Sequence, residues 1–189
     1  EESERWIAAT NRNGISPIYV VAPSTNDSRL GKVTSHCSGF IYAASSSTYG
    51  DSKELPKVED VIGKPLSPYA ITKYVNELYA DNFKRIFDLD TIGLRYFNVY
   101  GRQQDPNGAY AAVIPLFVKK LINYESPIIN GDGSYSRDFT YIDTVLDIAI
   151  TAMNEKVLTE GAMNLAYGNR IFLSDTIEML RKHFPDLKV

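Results

Sequence analysis

Tyr69 and Lys73 stand four residues apart in the stretch Ser67-Pro68-Tyr69-Ala70-Ile71-Thr72-Lys73. Ser67 can cap a helix, and Pro68 suits the first helical position, where its missing N–H would be unpaired in any case. A spacing of four then sets the phenol and the ammonium on one face, one turn apart. An ammonium beside a phenol favours the phenolate and draws its titration down from the usual ~10, which makes a base able to act nearer neutral pH. On its own such a pair also describes an ordinary exposed helix face, so the neighbouring residues decide. Upstream, Gly39-Phe40-Ile41-Tyr42-Ala43-Ala44 reads as a short strand, and Ser45-Ser46-Ser47-Thr48-Tyr49-Gly50 as the loop at its C-terminal end. Ligands of open parallel sheets sit just beyond the carboxyl ends of the strands, where Ser45 stands. A lone serine there is commonly a turn hydroxyl bonded to its own backbone. With Tyr69 and Lys73 it becomes one of three groups able to handle a proton.

These residues need elements to hold them. The Tyr69 helix is predicted over Tyr69–Phe87, with Val75, Leu78, Tyr79, Phe83 and Ile86 as an apolar stripe facing the core. Asp90 to Phe97 reads as the next strand, expected over Thr91–Tyr96, where Ile92, Leu94 and Tyr96 alternate and Asn98 closes the end. Arg102 to Tyr110 reads as a loop, Val113 to Asn123 as a short helix, and Ile128-Ile129 as a short strand before a Gly131-Asp132-Gly133 turn. Asp143 is the expected cap of a helix reaching Met153, and Ser174 the cap of a last helix burying Ile177, Leu180 and Phe184. Between these two helices, Ala162 to Ala166 reads as a strand, expected over Met163–Ala166. Alternation of strand and helix argues for an α/β fold with a largely parallel sheet. The strands at Phe40–Ala44 and Thr91–Tyr96 are expected to be parallel neighbours joined by the Tyr69 helix. Residues 1–36 fit this pattern poorly, with a helical end at Glu4–Thr10, a strand at Pro17–Ala22 and a polar loop at Ser24–Lys32 as the best local readings.

Composition bounds the function. The 189 residues carry a formal net charge of −3, with 44% hydrophobic and 23% charged residues, as in an ordinary globular protein. There is no basic excess to suggest nucleic acid, and no apolar run long enough to span a bilayer. Cys37 is alone, which excludes a disulfide within the chain, and His36 and His183 are too few to suggest a metal site. The absence of a signal peptide makes a cytoplasmic setting the expectation.

Four stretches taken together carry a resemblance. They are Tyr42 to Gly50, Pro68 to Lys73, Leu94-Arg95-Tyr96-Phe97-Asn98-Val99-Tyr100-Gly101, and Gly131-Asp132-Gly133 followed by Ser136-Arg137-Asp138-Phe139. From Phe40 to about Lys182 the chain resembles the NAD-dependent epimerase/dehydratase branch of the extended short-chain dehydrogenases/reductases. Within it the chain is most similar to bacterial UDP-N-acetylglucosamine 4-epimerases of polysaccharide biosynthesis. The resemblance implies a partial Rossmann-like parallel sheet with part of a smaller C-terminal substrate domain. It divides the chain into an unmatched segment 1–36, a partial NAD-binding domain 37–108 and a partial substrate-binding region 109–189. It implies NAD as cofactor, a UDP-sugar as substrate, no nucleic acid or membrane partner, and a homodimer for the full-length protein. It assigns Tyr69 to take the proton of the sugar 4-hydroxyl, Ser45 to hydrogen-bond the same oxygen, and Lys73 to bind the nicotinamide ribose. Phe97 and Val99 would help form the nicotinamide pocket. Ser46, Ser47, Asn98, Ala112, Val113 and Arg137 would contact substrate: Asn98 and Arg137 its diphosphate, the small Ala112 leaving room for an N-acetyl group.

The chain departs from that family in the contacts expected to hold NAD. No Gly-x-x-Gly-x-x-Gly turn, which would hold the NAD pyrophosphate on a helix N-terminus, occurs in it, nor does the acidic residue expected about 20 positions later. The chain therefore reads as an internal fragment that keeps the catalytic residues and lacks most NAD contacts. Two other readings stand beside a 4-epimerase. A nucleotide-sugar 4,6-dehydratase or decarboxylase is one, although dehydratases carry a carboxylate pair in the loop where Ser46 and Ser47 stand here. The other is a catalytically dead domain that binds a nucleotide or a partner chain.

Overall fold

The computed structural model describes residues 39–108, 112–155 and 161–184, together with Ala8 and Arg12. The readings for residues 1–36 fall outside the described residues, the last two named apart. Strand β1 runs Phe40–Ser45 and leads into a 3-10 turn, Ser46–Tyr49. Helix α1 follows at Pro68–Phe87, then β2 at Thr91–Tyr96 and β3 at Val99–Tyr100. Helix α2 spans Val113–Ile122, β4 Ser136–Arg137, β5 Thr140–Tyr141 and helix α3 Ile142–Asn154. The last elements are β6 at Ala162–Leu165, β7 at Ile171–Phe172 and helix α4 at Leu173–His183. The fold is α/β with a parallel sheet, in which β2 lies between β1 and β6. Two shorter ladders pair β3 parallel with β5 and β4 antiparallel with β7. The chain forms two compact units, one from Glu1–Arg95 with Ala152–Met163, the other from Tyr96–Thr151 with Asn164–Val189. Among the described residues no helix is long and apolar enough to cross a membrane.

Local chemistry explains the first unit. The Ser67 hydroxyl oxygen accepts the Ala70 N–H at 3.1 Å, and Pro68 takes the first helical position. At the other end Asp88 adopts a left-handed conformation, φ 50°, while Lys84 and Arg85 place positive charge near the helix C-terminus. Strand β2 does not show the alternation expected of it. Ile92, Gly93, Leu94 and Arg95 are all buried, because a central strand is covered on both faces. Gly93 is required there: a Cβ would stand 2.3 Å from the Tyr42 hydroxyl oxygen and 2.9 Å from the Ala162 Cβ.

The stripe assigned to the core of α1 is corrected. Leu78, Tyr79 and Ile86 are exposed, while Ala70 and Ala80 are buried. Their small side chains let the helix come close to β1 and the 3-10 turn. Three further expectations change. Ile128-Ile129 is not a strand. Asp143 lies inside the first turn of α3, and its carboxylate accepts from Arg102 Nη2 at 2.8 Å. Ser174 also lies inside its helix: α4 begins after Phe172 and has no side-chain cap.

Candidate active site

The three candidate proton-handling residues all lie in the first unit. Ser45 ends β1 and caps the 3-10 turn, its hydroxyl oxygen accepting the Ser47 N–H at 3.2 Å and the Ser47 hydroxyl at 2.9 Å. Tyr69 is the second residue of α1 and keeps 44% of its surface exposed. One turn on, Lys73 holds its ammonium 5.7 Å from the centre of the Tyr69 ring. The same ammonium donates to the Ala43 carbonyl at 3.2 Å, which ties it to β1 two residues before Ser45. The result is a cation fixed beside a solvent-reachable phenol, next to the strand end that carries a serine.

Beneath these groups lies a buried polar cluster that the sequence reading passed over. Arg95 donates from Nε and Nη2 to the two oxygens of Glu77, at 3.0 and 2.8 Å, with both side chains almost wholly enclosed. Its Nη1 donates to the Tyr49 hydroxyl at 3.0 Å and to the Glu59 carbonyl at 2.9 Å. The guanidinium also lies 5.0 Å from the centre of the Tyr49 ring. Burial opposes the Arg95 charge, but hydrogen bonds to Glu77 and Tyr49 outweigh it and push its pKa up. The available signal was an arginine inside an apolar strand and a glutamate four residues after Lys73.

Ser46 and Ser47 lie in the 3-10 turn of the first unit beside Ser45, and the other candidates lie in the second unit. Phe97 and Val99 are half-buried around Asn98, and the Phe97 N–H donates to the Leu165 carbonyl at 3.1 Å. Asn98 is held at φ 36°, and its side-chain amide donates to the Asp138 carbonyl at 2.9 Å. Asp138 in turn accepts the N–H groups of Tyr167 and Gly168, each at 2.8 Å. Arg137 is exposed, its Nη1 donating to the Ser136 carbonyl at 2.9 Å. Ala112 directly precedes α2 and Val113 opens it. Val113 also lines a cavity of about 460 Å³ with Leu116, Phe117, Ile128 and Asn130. Among the described residues no cluster of histidine, cysteine and carboxylate side chains could hold a metal.

A sequence profile of the NAD dependent epimerase/dehydratase family matches residues 28–166. The chain belongs to this family. One curated relative in it, a putative UDP-glucose 4-epimerase of Methanocaldococcus jannaschii, is 36% identical over 143 residues, covering 75% of this chain and 46% of the relative. Among solved structures, the UDP-N-acetylglucosamine 4-epimerase of Methanobrevibacter ruminantium, in complex with UDP-N-acetylmuramic acid, superposes with a TM-score of 0.75 at 30% identity. That match covers 87% of this chain and 59% of the other. An NAD-dependent NDP-hexosamine 5,6-dehydratase of tunicamycin biosynthesis superposes at 0.73 with 25% identity, over 93% and 62% of the two chains. The chain thus spans less than half the length of the curated relatives it matches. The family is one of NAD-dependent epimerases and dehydratases.

Proposed function

We infer that this chain carries the acid/base centre of a nucleotide-sugar 4-epimerase acting on UDP-N-acetylglucosamine and its C4 epimer. The observation that carries this reading is the Lys73 ammonium, anchored at the end of β1 and held beside the half-exposed Tyr69 ring. This donor set suits the nicotinamide end of NAD: a cation for ribose hydroxyls, with a phenol open to the same side chain's surroundings. When bound, NAD supplies the hydride acceptor and donor at the sugar C4. The protein's part is the proton. Tyr69 takes it from the 4-hydroxyl as that carbon is oxidised, and returns it when the ketone is reduced on its other face. Ser45 hydrogen-bonds the same oxygen and steadies it during transfer. Lys73 holds the ribose. In the second unit, Asn98 and Arg137 are assigned to the diphosphate, Arg137 because a guanidinium matches phosphate by two parallel hydrogen bonds. Phe97 and Val99 are assigned to the nicotinamide, and Ser46, Ser47, Ala112 and Val113 to the sugar side. The small Ala112 supports an N-acetylated substrate. The full-length protein is expected to be a cytoplasmic homodimer serving polysaccharide synthesis.

Elimination is the competing chemistry, favoured by the likeness to a hexosamine 5,6-dehydratase. It needs a carboxylate to remove a proton from the sugar, and the turn after Ser45 offers Ser46, Ser47 and Thr48 instead. The decisive experiment uses the complete protein that contains this chain, with UDP-N-acetylglucosamine and product analysis by NMR. Tyr69→Phe is expected to lower 4-epimerisation by at least ~10²-fold, the usual cost of losing a general acid/base, and Ser45→Ala to lower it less. Full turnover in Tyr69→Phe refutes the role, and an unsaturated or 4-keto-6-deoxy product replaces the reading with dehydration.

A further inference from the structure

We propose that Arg95 and Glu77 are positioning residues, a buried brace that fixes the Ser45 turn against the helix carrying Tyr69 and Lys73. The proposal rests on the 4-epimerase reading for what is being positioned, and on the geometry of the first unit for how.

The brace joins the elements that bear the three groups. Glu77 lies on α1 one turn past Lys73 and two turns past Tyr69, on the face that also buries Ala70 and Ala80. Alanines bring helix and sheet close, and Glu77 is the long polar side chain set between them. Its carboxylate receives the guanidinium fork of Arg95 from near the C-terminal end of β2, the strand between β1 and β6. From there the contacts run into the turn. Arg95 Nη1 donates to the Tyr49 hydroxyl at 3.0 Å, and the Thr48 hydroxyl stands 3.3 Å from Glu77 Oε1. The Thr48 hydroxyl also donates to the Ser45 carbonyl. Thr48 and Tyr49 are buried, at 0% and 2% exposure. Tyr49 is thus one hydrogen bond from Arg95, and the Thr48 hydroxyl lies between the Ser45 carbonyl and Glu77.

Stability alone is a poor reason for such a pair. Desolvating two charges costs about as much as their attraction returns, and well-packed apolar residues often serve equally well. What an apolar pair cannot supply is direction. The planar fork fixes Glu77 in one orientation, and hence fixes where α1 lies along β2. The two polar links to Thr48 and Tyr49 then fix the turn relative to α1. Ser45 and Tyr69 must address one substrate oxygen, and small misplacements of such groups are costly in rate.

Two measurements test this. The first takes the 189-residue chain and compares amide hydrogen exchange in wild type, the paired apolar variant Arg95→Met/Glu77→Leu, and Thr48→Val. We expect the paired variant to melt within a few degrees of wild type, roughly as buried-pair replacements do. Exchange at Ser46–Gly50 should rise by at least ~10-fold while α1 and β2 stay protected. Thr48→Val leaves the ion pair intact and should loosen the same amides. It decides the matter if the paired variant does not fold. A turn that stays protected in every folded variant, or one that loosens only together with α1 and β2, overturns the brace.

The second measurement uses the complete enzyme. All three changes, the paired variant, Thr48→Val and Arg95→Lys, should lower kcat by at least ~10-fold and leave KM for the UDP-sugar within ~2-fold, as expected of groups that act through alignment and not through binding. Arg95→Lys belongs in the set because a lysine keeps the charge but not the fork. Unchanged kcat in these variants, with an active wild type, defeats the positioning role alone. A wild type inactive on every nucleotide sugar defeats the activity reading and the positioning role together.

Discussion

At the scale of the residue, two of the first unit's phenols stand in opposite surroundings. Tyr69 is open, with an ammonium beside its ring. Tyr42, three residues before Ser45 on β1, packs its ring against Gly93. Burial, and after it the Glu77 carboxylate, push the Tyr42 phenol up to about 12. An unfolded tyrosine titrates near ~10. The folded form therefore keeps its proton where the unfolded chain has lost it. Such a group contributes stability that is fully present below pH ~10 and is lost as pH rises through the folded value. Urea unfolding between pH 9 and 12 is expected to show stability falling with pH, and Tyr42→Phe is expected to flatten part of that fall. Parallel curves for the two proteins would mean that Tyr42 ionises as readily folded as unfolded.

At the scale of the element, the start of α1 and the strand bounds were readable, while the caps of α3 and α4 and the partnering were not. Ser67-Pro68 announced the start of α1, and the structure has its cap and first residue there. The strand expected at Thr91–Tyr96 is found with those bounds, and those expected at Phe40–Ala44 and Met163–Ala166 lie within one residue of the observed Phe40–Ser45 and Ala162–Leu165. Which face of α1 is buried was misread, because a helical period reports that a stripe exists and not what covers it. Ala70 and Ala80 win because close approach to β1 and the turn favours small side chains over Leu78 and Ile86. The Arg95–Glu77 pair was missed for a related reason: each residue alone is an ordinary charge, and only the third dimension makes them partners. The Ser45 turn itself ends on a position that admits glycine alone. Gly50 sits at φ 52°, ψ −123°, and a Cβ would stand 1.9 Å from the Lys64 carbonyl oxygen. Gly50→Ala combines backbone strain with a clash against main chain, and should destabilise by about 1–3 kcal/mol or more. Denaturant melts check this; a change under about 0.5 kcal/mol, the range of a neutral surface substitution, would show that the turn has another conformation available.

At the scale of the whole molecule, the question is how much of the cofactor this chain can hold. A dinucleotide is gripped chiefly by backbone N–H groups of a Gly-rich turn and by the positive end of the helix that follows. That turn occurs nowhere in the 189 residues, although the family is NAD dependent. The groups we propose for NAD in this chain, Tyr69, Lys73, Phe97 and Val99, belong to the nicotinamide end alone. Groups of this kind orient a reactive ring, but leave the adenosine and most of the pyrophosphate in water. The ring end contributes a few hydrogen bonds, each worth about 0.5–1.5 kcal/mol net, against a cost of association of at least ~4 kcal/mol. The balance does not reach the ~8 kcal/mol of a micromolar complex. Calorimetric titration of this chain with NAD should therefore show no saturable heat at micromolar concentrations, with or without UDP-sugar. The complete protein is expected to bind NAD, because it would supply the pyrophosphate contacts. Stoichiometric micromolar binding to the 189-residue chain would locate a pyrophosphate cradle in residues that bear none of its usual glycine signature.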